Sequence, residues 1–209
     1  MTLTSPLLSQ FVWLEHGFGT RLSTLEQDRM ASLKQVHSAT VLVADQPAGC
    51  VGEGDSLLAA QPGTMVSVRT ADCFPVLLAD ARTRAVAAVH AGWRGTAAEI
   101  VIHTLHRMRD EWGTDPKHVY GVIGPGIGAC CYRVGEEVAL KFGRKSAGHL
   151  DLAAVNRRQL LVAGIPGDQI DAVGSCTYCD VENFHSFRRD KEQAGRMISY
   201  IGARKLPTT

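Results

Sequence analysis

A chain of 209 residues holds enough apolar material for a domain with a sizeable core. Hydrophobic residues make up 45% of it and charged residues 21%, ordinary proportions for a soluble globular protein. The formal net charge of +1 leaves no global electrostatic case for binding nucleic acid or an anionic membrane surface. Sixteen arginines against six lysines keep a local site for phosphate open, because a guanidinium binds such anions in a bidentate fork. The opening stretch MTLTSPLLSQFVWLEHG lacks the basic start, apolar run and small-residue cleavage site of a signal peptide. No uncharged apolar run approaches the roughly 20 residues of a membrane-spanning helix. A cytoplasmic location is the expectation, and in that compartment six cysteines read as thiols or ligands, not as a disulfide framework.

In chain order, the strand-like runs are ATVLVAD (39–45), TMVSVRT (64–70), PVLLAD (75–80) and AVAAVHA (85–91). Each is short and bounded by Gly, Pro or Asp. DARTR (80–84) is a polar connector of hairpin length, so the last two strands are expected to pair antiparallel. TAAEIVIHTLHRMRDEW (96–112) sets Ile100, Leu105, Met108 and Trp112 near helical spacing, with Gly113 as a stop. HVYGVIGPGIG (118–128) predicts a strand entering a glycine-rich turn. Helices are predicted over 135–143 and 151–164, the second capped by Asp151 and ended by Gly164. A short strand near 170–175, a CTYC loop and a polar helical turn after SFRRD complete the series. Strands and helices mix without strict alternation, so the expected fold is α+β, a layered α/β sandwich of mixed sheets flanked by helices. No linker divides it, and one domain is expected over 1–209.

Residues that carry chemistry gather at the ends of these runs. His37 in LKQVHSATV, Cys73 in RTADCFPV and His90 in AAVHAGWRG offer two imidazoles and a thiolate. A catalytic zinc takes three such ligands and keeps a fourth position open. The separations, 36 residues (37 to 73) and 17 residues (73 to 90), match no local zinc-binding spacing. The same residues therefore also read as a buried thiol with core histidines, or as a Cys73 nucleophile with His90 as its base. Cys176 and Cys179 have CxxC spacing, whereas Cys130 and Cys131 are adjacent, which suits neither a second zinc knuckle nor an easy disulfide. Free thiols are the expectation there. Arg94 in GWRG, Arg21 in HGFGTR and Arg188–Arg189 in SFRRD sit beside glycine or small residues, where a guanidinium meets a phosphate readily. For Arg189, a surface ion pair with Asp190 competes with that reading. IGPGIG (123–128) lacks the Lys-Ser/Thr of a phosphate-binding P-loop.

HGFGTR, LKQVHSATV, GDSLL, TADCFPVLLAD, AVHAGWRGT, IGPGIGACCYRVG, LDLAAVNRRQL and SFRRD, in this order, resemble the YfiH-type family. That family was long labelled multicopper polyphenol oxidoreductase laccase and is now described as purine nucleoside phosphorylase. The resemblance runs from about residue 15 to residue 201, and TADC followed by HAGWRG is highly specific to it. It implies a layered α/β sandwich similar to that of bacterial toxin deamidases. It also implies a zinc ion held by His37, Cys73 and His90. The implied chemistry is phosphorolysis of adenosine, inosine, guanosine and methylthioadenosine, together with adenosine deamination. Copper is disfavoured, because eight scattered histidines leave a multicopper centre short of ligands. Some relatives resemble an editing factor for cell-wall peptide precursors, a hydrolytic role that a Cys73–His90 pair would suit.

The chain also departs from the family's pattern. Only LSTLEQDRMASL (22–33) lies between Arg21 and Lys34, where members usually carry Gly-Gly and a longer helical insert. Arg133 follows CCY where many members have Glu, and His185 replaces a more usual aromatic residue. The site expected from residues and resemblance together has Cys73, His90, Asp72 and Arg94 in catalysis, with Asp55 the other nearby motif acid. Arg94, Arg188, Arg21 and His185 are expected around substrate and phosphate, His185 without ligating the metal. Expected partners are purine nucleosides and phosphate, with no nucleic acid and no membrane, in a monomer or weak homodimer.

Overall fold

The computed structural model describes residues 2–205. The chain runs through β1 (Thr2–Leu3), a short helix α1 (Pro6–Ser9), β2 (Leu14–Gly19), β3 (Ala31–Lys34), β4 (Val41–Val43), β5 (Gly49–Glu53) and β6 (Ser56–Ala59). β7 (Met65–Thr70), β8 (Phe74–Asp80) and β9 (Val86–Ala91) then lead into α2 (Trp93–Ala97) and α3 (Ile100–Trp112). After β10 (Val119–Ile123), the pair β11 (Arg133–Val134) and β12 (Gly148–His149) flanks α4 (Glu136–Lys141). α5 (Leu152–Val162), β13 (Ile170–Ala172), α6 (Phe187–Asp190) and β14 (Met197–Ala203) follow.

Two six-stranded mixed sheets organise these elements. The first has the order β1-β2-β14-β7-β3-β5, the second β13-β10-β8-β9-β6-β4. β8 and β9 pair antiparallel, with Val76 opposite Val89, as their short polar connector requires. The second sheet is covered on both faces, which is why its strands read as unbroken apolar runs. Val76 and Leu78 of β8 face a core shared with Ile100, Leu105 and Met108 of α3, while Leu77 and Ala79 face Val66, Val68 and Ile201 of the first sheet. Period-two alternation thus assigns each residue of one strand to one of two cores. The result is the expected α+β sandwich, in three layers: sheet, sheet, helices. No helix among the described residues is long and apolar enough to cross a membrane.

Local signals placed several elements. The Asp151 carboxylate accepts the Ala154 N–H at 2.9 Å and starts α5, and Gly113 and Gly164 take positive φ where helices end. The continuous helix predicted over 96–112 is corrected to two. α2 begins earlier, at Trp93, and the chain breaks at Glu99, whose φ is +57°. Gln159 of α5 donates its side-chain N–H to the Thr96 carbonyl at 2.8 Å, and this long-range contact serves a carbonyl at the break. β1, β2, β3, β5, β6, β11, β12 and β14 are additions to the sequence reading. Two of them, β2 and β14, stand side by side within the first sheet.

Candidate metal centre and its pocket

Three connections converge where the two sheets meet. His37 lies between β3 of the first sheet and β4 of the second. Cys73 lies in the link from β7 to β8, which crosses from the first sheet to the second, and His90 is the penultimate residue of β9. Their ligand atoms all fall within 4.8 Å of one another, and the His37 and His90 rings meet edge-on with centroids 4.9 Å apart. This trio could hold a metal ion with nitrogen and sulfur donors. His90 is buried and Cys73 partly so, while His37 opens towards solvent.

Asp55, at the entry to β6 and fully buried, organises the trio. Its carboxylate accepts the backbone N–H groups of His37 at 3.0 Å and Ser38 at 2.6 Å, and the Ser38 hydroxyl at 2.8 Å. It also meets His90 Nδ1 at 2.8 Å. An ionised carboxylate only accepts, so Nδ1 carries the proton and Nε2 is left for a metal. Burial alone would raise the Asp55 pKa, but the bonds from His90 and Ser38 prevail and hold it down to about 2. His37 meets this acceptor with its backbone at φ +59°, a conformation maintained by the surrounding bonds.

Gly92 accounts for one glycine of HAGWRG. A Cβ there would lie 2.9 Å from Cys73 Sγ and 3.3 Å from the His37 ring. Gly95 comes equally close to the loop that carries His37: its Cβ would stand 3.0 Å from the Ser38 carbonyl.

Burial of Cys73 opposes ionisation, yet its contacts with His37 and His90 outweigh burial and bring the thiol down to about 6. For His90, burial disfavours the charge, but Asp55 and Cys73 raise its pKa to about 9. Metal-free protein therefore holds a thiolate against an imidazolium. Because the thiolate is the reactive form, alkylation of Cys73 in metal-stripped protein should accelerate as pH rises through about 6, well below the ordinary thiol value of about 8.5. Peptide-resolved mass spectrometry after iodoacetamide pulses across pH reads the midpoint. A midpoint near 8.5 would refute the pairing.

The trio lines a pocket of about 550 Å³, within the range of small-molecule sites. Lys34, Arg69, Arg94, Arg188, Lys191 and Arg196 also line it, against Asp72 as its one acidic residue. Lys34 is already paired with Glu53 at 2.6 Å, but neither the Arg94 nor the Arg188 guanidinium forms an ion pair among the described residues. Arg94 lies over the Trp93 ring at 4.5 Å, and Arg188 over Tyr132 at 5.4 Å. Both oxygens of Asp72 are engaged, one by the Thr177 hydroxyl at 2.7 Å and the other by the Arg188 backbone N–H at 2.6 Å. Burial raises the Tyr132 pKa to about 12, so its phenol remains a proton donor.

Two sequence expectations are corrected here. Arg21 and His185 do not line this pocket; they line a neighbouring cleft that shares only Lys191 with it. Arg21 donates to the Val181 carbonyl, and burial together with Arg21 lowers the His185 pKa. Arg189 is a staple: besides Asp190 at 2.9 Å, it donates to the carbonyls of Thr177, Tyr178 and Phe184. The roles of Asp55, Gly92, Thr177 and Tyr132 went unread. For Asp55 a signal existed, since an acid opening a strand that is buried throughout must have partners.

Comparison with known proteins fits this architecture. The chain is 40% identical over 185 residues to "Purine nucleoside phosphorylase" of Deinococcus radiodurans, covering 84% of this chain and 70% of that one. It is 31% identical to "Adenosine deaminase RL5" from an unknown prokaryotic organism, covering 85% of this chain and 76% of that one. The crystal structure of YlmD from Geobacillus stearothermophilus superposes with a TM-score of 0.87 at 25% identity, over 96% of this chain and 94% of that one. Residues 19–204, from the end of β2 to the end of β14, match the family described as multi-copper polyphenol oxidoreductase laccase, and to that family this chain belongs.

Proposed function

We propose that this chain is a zinc-dependent purine nucleoside phosphorylase acting on adenosine, inosine, guanosine and methylthioadenosine, with adenosine deamination as a second reaction of the same pocket. One observation carries the reading: a Cys-His-His donor set opens into a pocket lined by four guanidiniums, those of Arg69, Arg94, Arg188 and Arg196, none of which forms an ion pair among the described residues. Two imidazoles and one thiolate suit zinc and fall short of the ligands a multicopper centre consumes. A zinc ion held by His37, Cys73 and His90 supplies Lewis-acid polarisation inside the pocket. Arg94 and Arg188 hold phosphate for attack on the anomeric carbon as the bond to the purine breaks. Trp93, Tyr132 and Phe187 offer aromatic surface for the base, and the Tyr132 phenol offers a proton or hydrogen bond. Asp72 positions the backbone of Arg188 and the 177 loop.

Incubation with adenosine, with and without phosphate, tests the reading. Adenine formed only when phosphate is present supports phosphorolysis, and inosine formed in both supports deamination. No turnover of any of the four nucleosides by zinc-loaded protein rejects the proposal. The lowered Cys73 pKa favours a second reading, a cysteine hydrolase acting on peptide amides, in which the Cys73 thiolate attacks and the His90 imidazolium gives its proton to the leaving amine. Chelation separates the two. Activity abolished by removing metal and restored by zinc belongs to the first reading; activity of metal-free protein abolished by alkylating Cys73 belongs to the second.

A further inference from the structure

The pocket leaves one cluster of reactive side chains unused. Cys130, Cys131, Cys176 and Cys179 come from two separate loops, yet their sulfurs all lie within 4.8 Å of one another. The sequence reading expected free thiols here, and free they are, but the fold gathers all four at one place. Cys130 and Cys131 occupy a tight turn in which the N–H groups of Cys131 and Tyr132 both donate to the Gly128 carbonyl at 3.0 Å. The turn aims both side chains at the CTYC loop. The loops are pinned by a parallel bridge between Gly126 and Cys176, and by the Thr177 N–H donating to the Gly126 carbonyl at 3.0 Å.

We propose that these four cysteines form a second metal site, a closed tetrathiolate that takes zinc and is structural. Three observations point the same way. The Sγ separations are 3.8 Å for Cys130–Cys179 and 3.3 Å for Cys131–Cys179. Zn–S bonds of about 2.3 Å arranged tetrahedrally put sulfurs about 3.8 Å apart, so the quartet needs little movement to close on an ion. No pair is bonded: all six cysteines of the chain are free. The backbone also makes room and supplies a donor. The Gly128 N–H donates to Cys176 Sγ at 3.2 Å, and a Cβ at Gly128 would lie 3.2–3.5 Å from Cys176 Cβ, Cys130 Sγ and Cys176 Sγ. Such an N–H is the usual partner of a metal-bound thiolate.

Four protein ligands leave no open position, so this site binds no substrate. The thiols lose their protons to solvent as the ion binds, and no electrons are transferred. The ion ties together the loops that reach the pocket, one bearing Ile127 and Tyr132, the other bearing Thr177, which holds Asp72.

The test uses the full chain carrying Cys73→Ala, so that the first centre cannot contribute. Elemental analysis should find one zinc per chain, falling to none when Cys176→Ser and Cys179→Ser are added. Cobalt in place of zinc should give the thiolate charge-transfer and visible bands of a tetrahedral four-sulfur site. If the serine variants fail to fold, thiol accessibility in the folded Cys73→Ala protein decides. Of its five remaining cysteines, only Cys50 should react rapidly with iodoacetamide. Five reactive thiols without bound metal, or disulfides within the quartet by mass spectrometry, would overturn the site. Neither result depends on what the pocket catalyses.

Discussion

Asp55→Ala should destabilise the protein by about 3–5 kcal/mol, the cost of leaving buried partners of a removed charge unpaired. The His37 and Ser38 N–H groups and His90 Nδ1 all lose their acceptor at once. For a chain of this size, that is a drop in Tm of roughly 6–20 °C, read by calorimetry on metal-free protein. Zinc affinity should fall as well, because the His37 loop and the His90 ring lose their common support. Asp55→Asn keeps the volume and should remove a particular part of the acid transition. The folded pKa of about 2 lies below the ordinary value of about 3.9. The carboxylate's contribution is therefore complete above about pH 4 and is lost as pH falls towards 2. Wild-type protein should lose stability across that window and the Asn variant should lose less. Identical acid profiles would remove Asp55 from its central place.

Gly92→Ala should separate folding from metal binding. Gly92 has φ −76° and ψ 170°, which alanine adopts without strain, so the metal-free protein should lose only a small amount, under about 1 kcal/mol. The added Cβ nevertheless falls 2.9 Å from Cys73 Sγ, and the sulfur must move. Zinc affinity should fall at least about tenfold and turnover with it, a loss of the size seen when groups supporting a metal ligand are removed. Competition with a chromogenic chelator measures the affinity. Unchanged affinity would mean that the pocket absorbs the methyl without disturbing the sulfur.

Local chemistry made parts of this molecule readable. Asp151 and Gly164 bracket α5 through bonds and dihedrals that span a few residues, and the PVLLAD and AVAAVHA runs carry their burial in their own composition. Contacts between distant residues were opaque. Nothing near Thr96 announces that Gln159 will take its carbonyl, so the break before α3 could not be foreseen. β2, LEHGFG, shows little strand character because its glycines serve close approaches: a Cβ at Gly17 would meet Thr2 and Tyr200. At the site, spacing alone left the trio ambiguous, and the motif resemblance singled it out. Adjacency in sequence misled for His185. Ser186 caps a single helical turn; Arg188 within the turn lines one cleft, and His185 just before the cap lines another. The quartet of cysteines was hidden for the same reason, since a bridge spanning fifty residues, Gly126 to Cys176, assembles it.

β14 has a consequence for how this protein comes into being. It pairs with β2 on one side and β7 on the other, so a strand near the end of the chain sits in the middle of the first sheet. Until Met197–Ala203 has left the ribosome, β2 and β7 both present unsatisfied backbone edges, which invite pairing with other chains. Nascent chains halted before residue 197 should be chaperone clients and aggregation-prone, whichever substitutions they carry. Cys73 directly precedes β8, but the link that carries it starts from β7, so one side of the ligand trio rests on a strand whose pairing waits for β14.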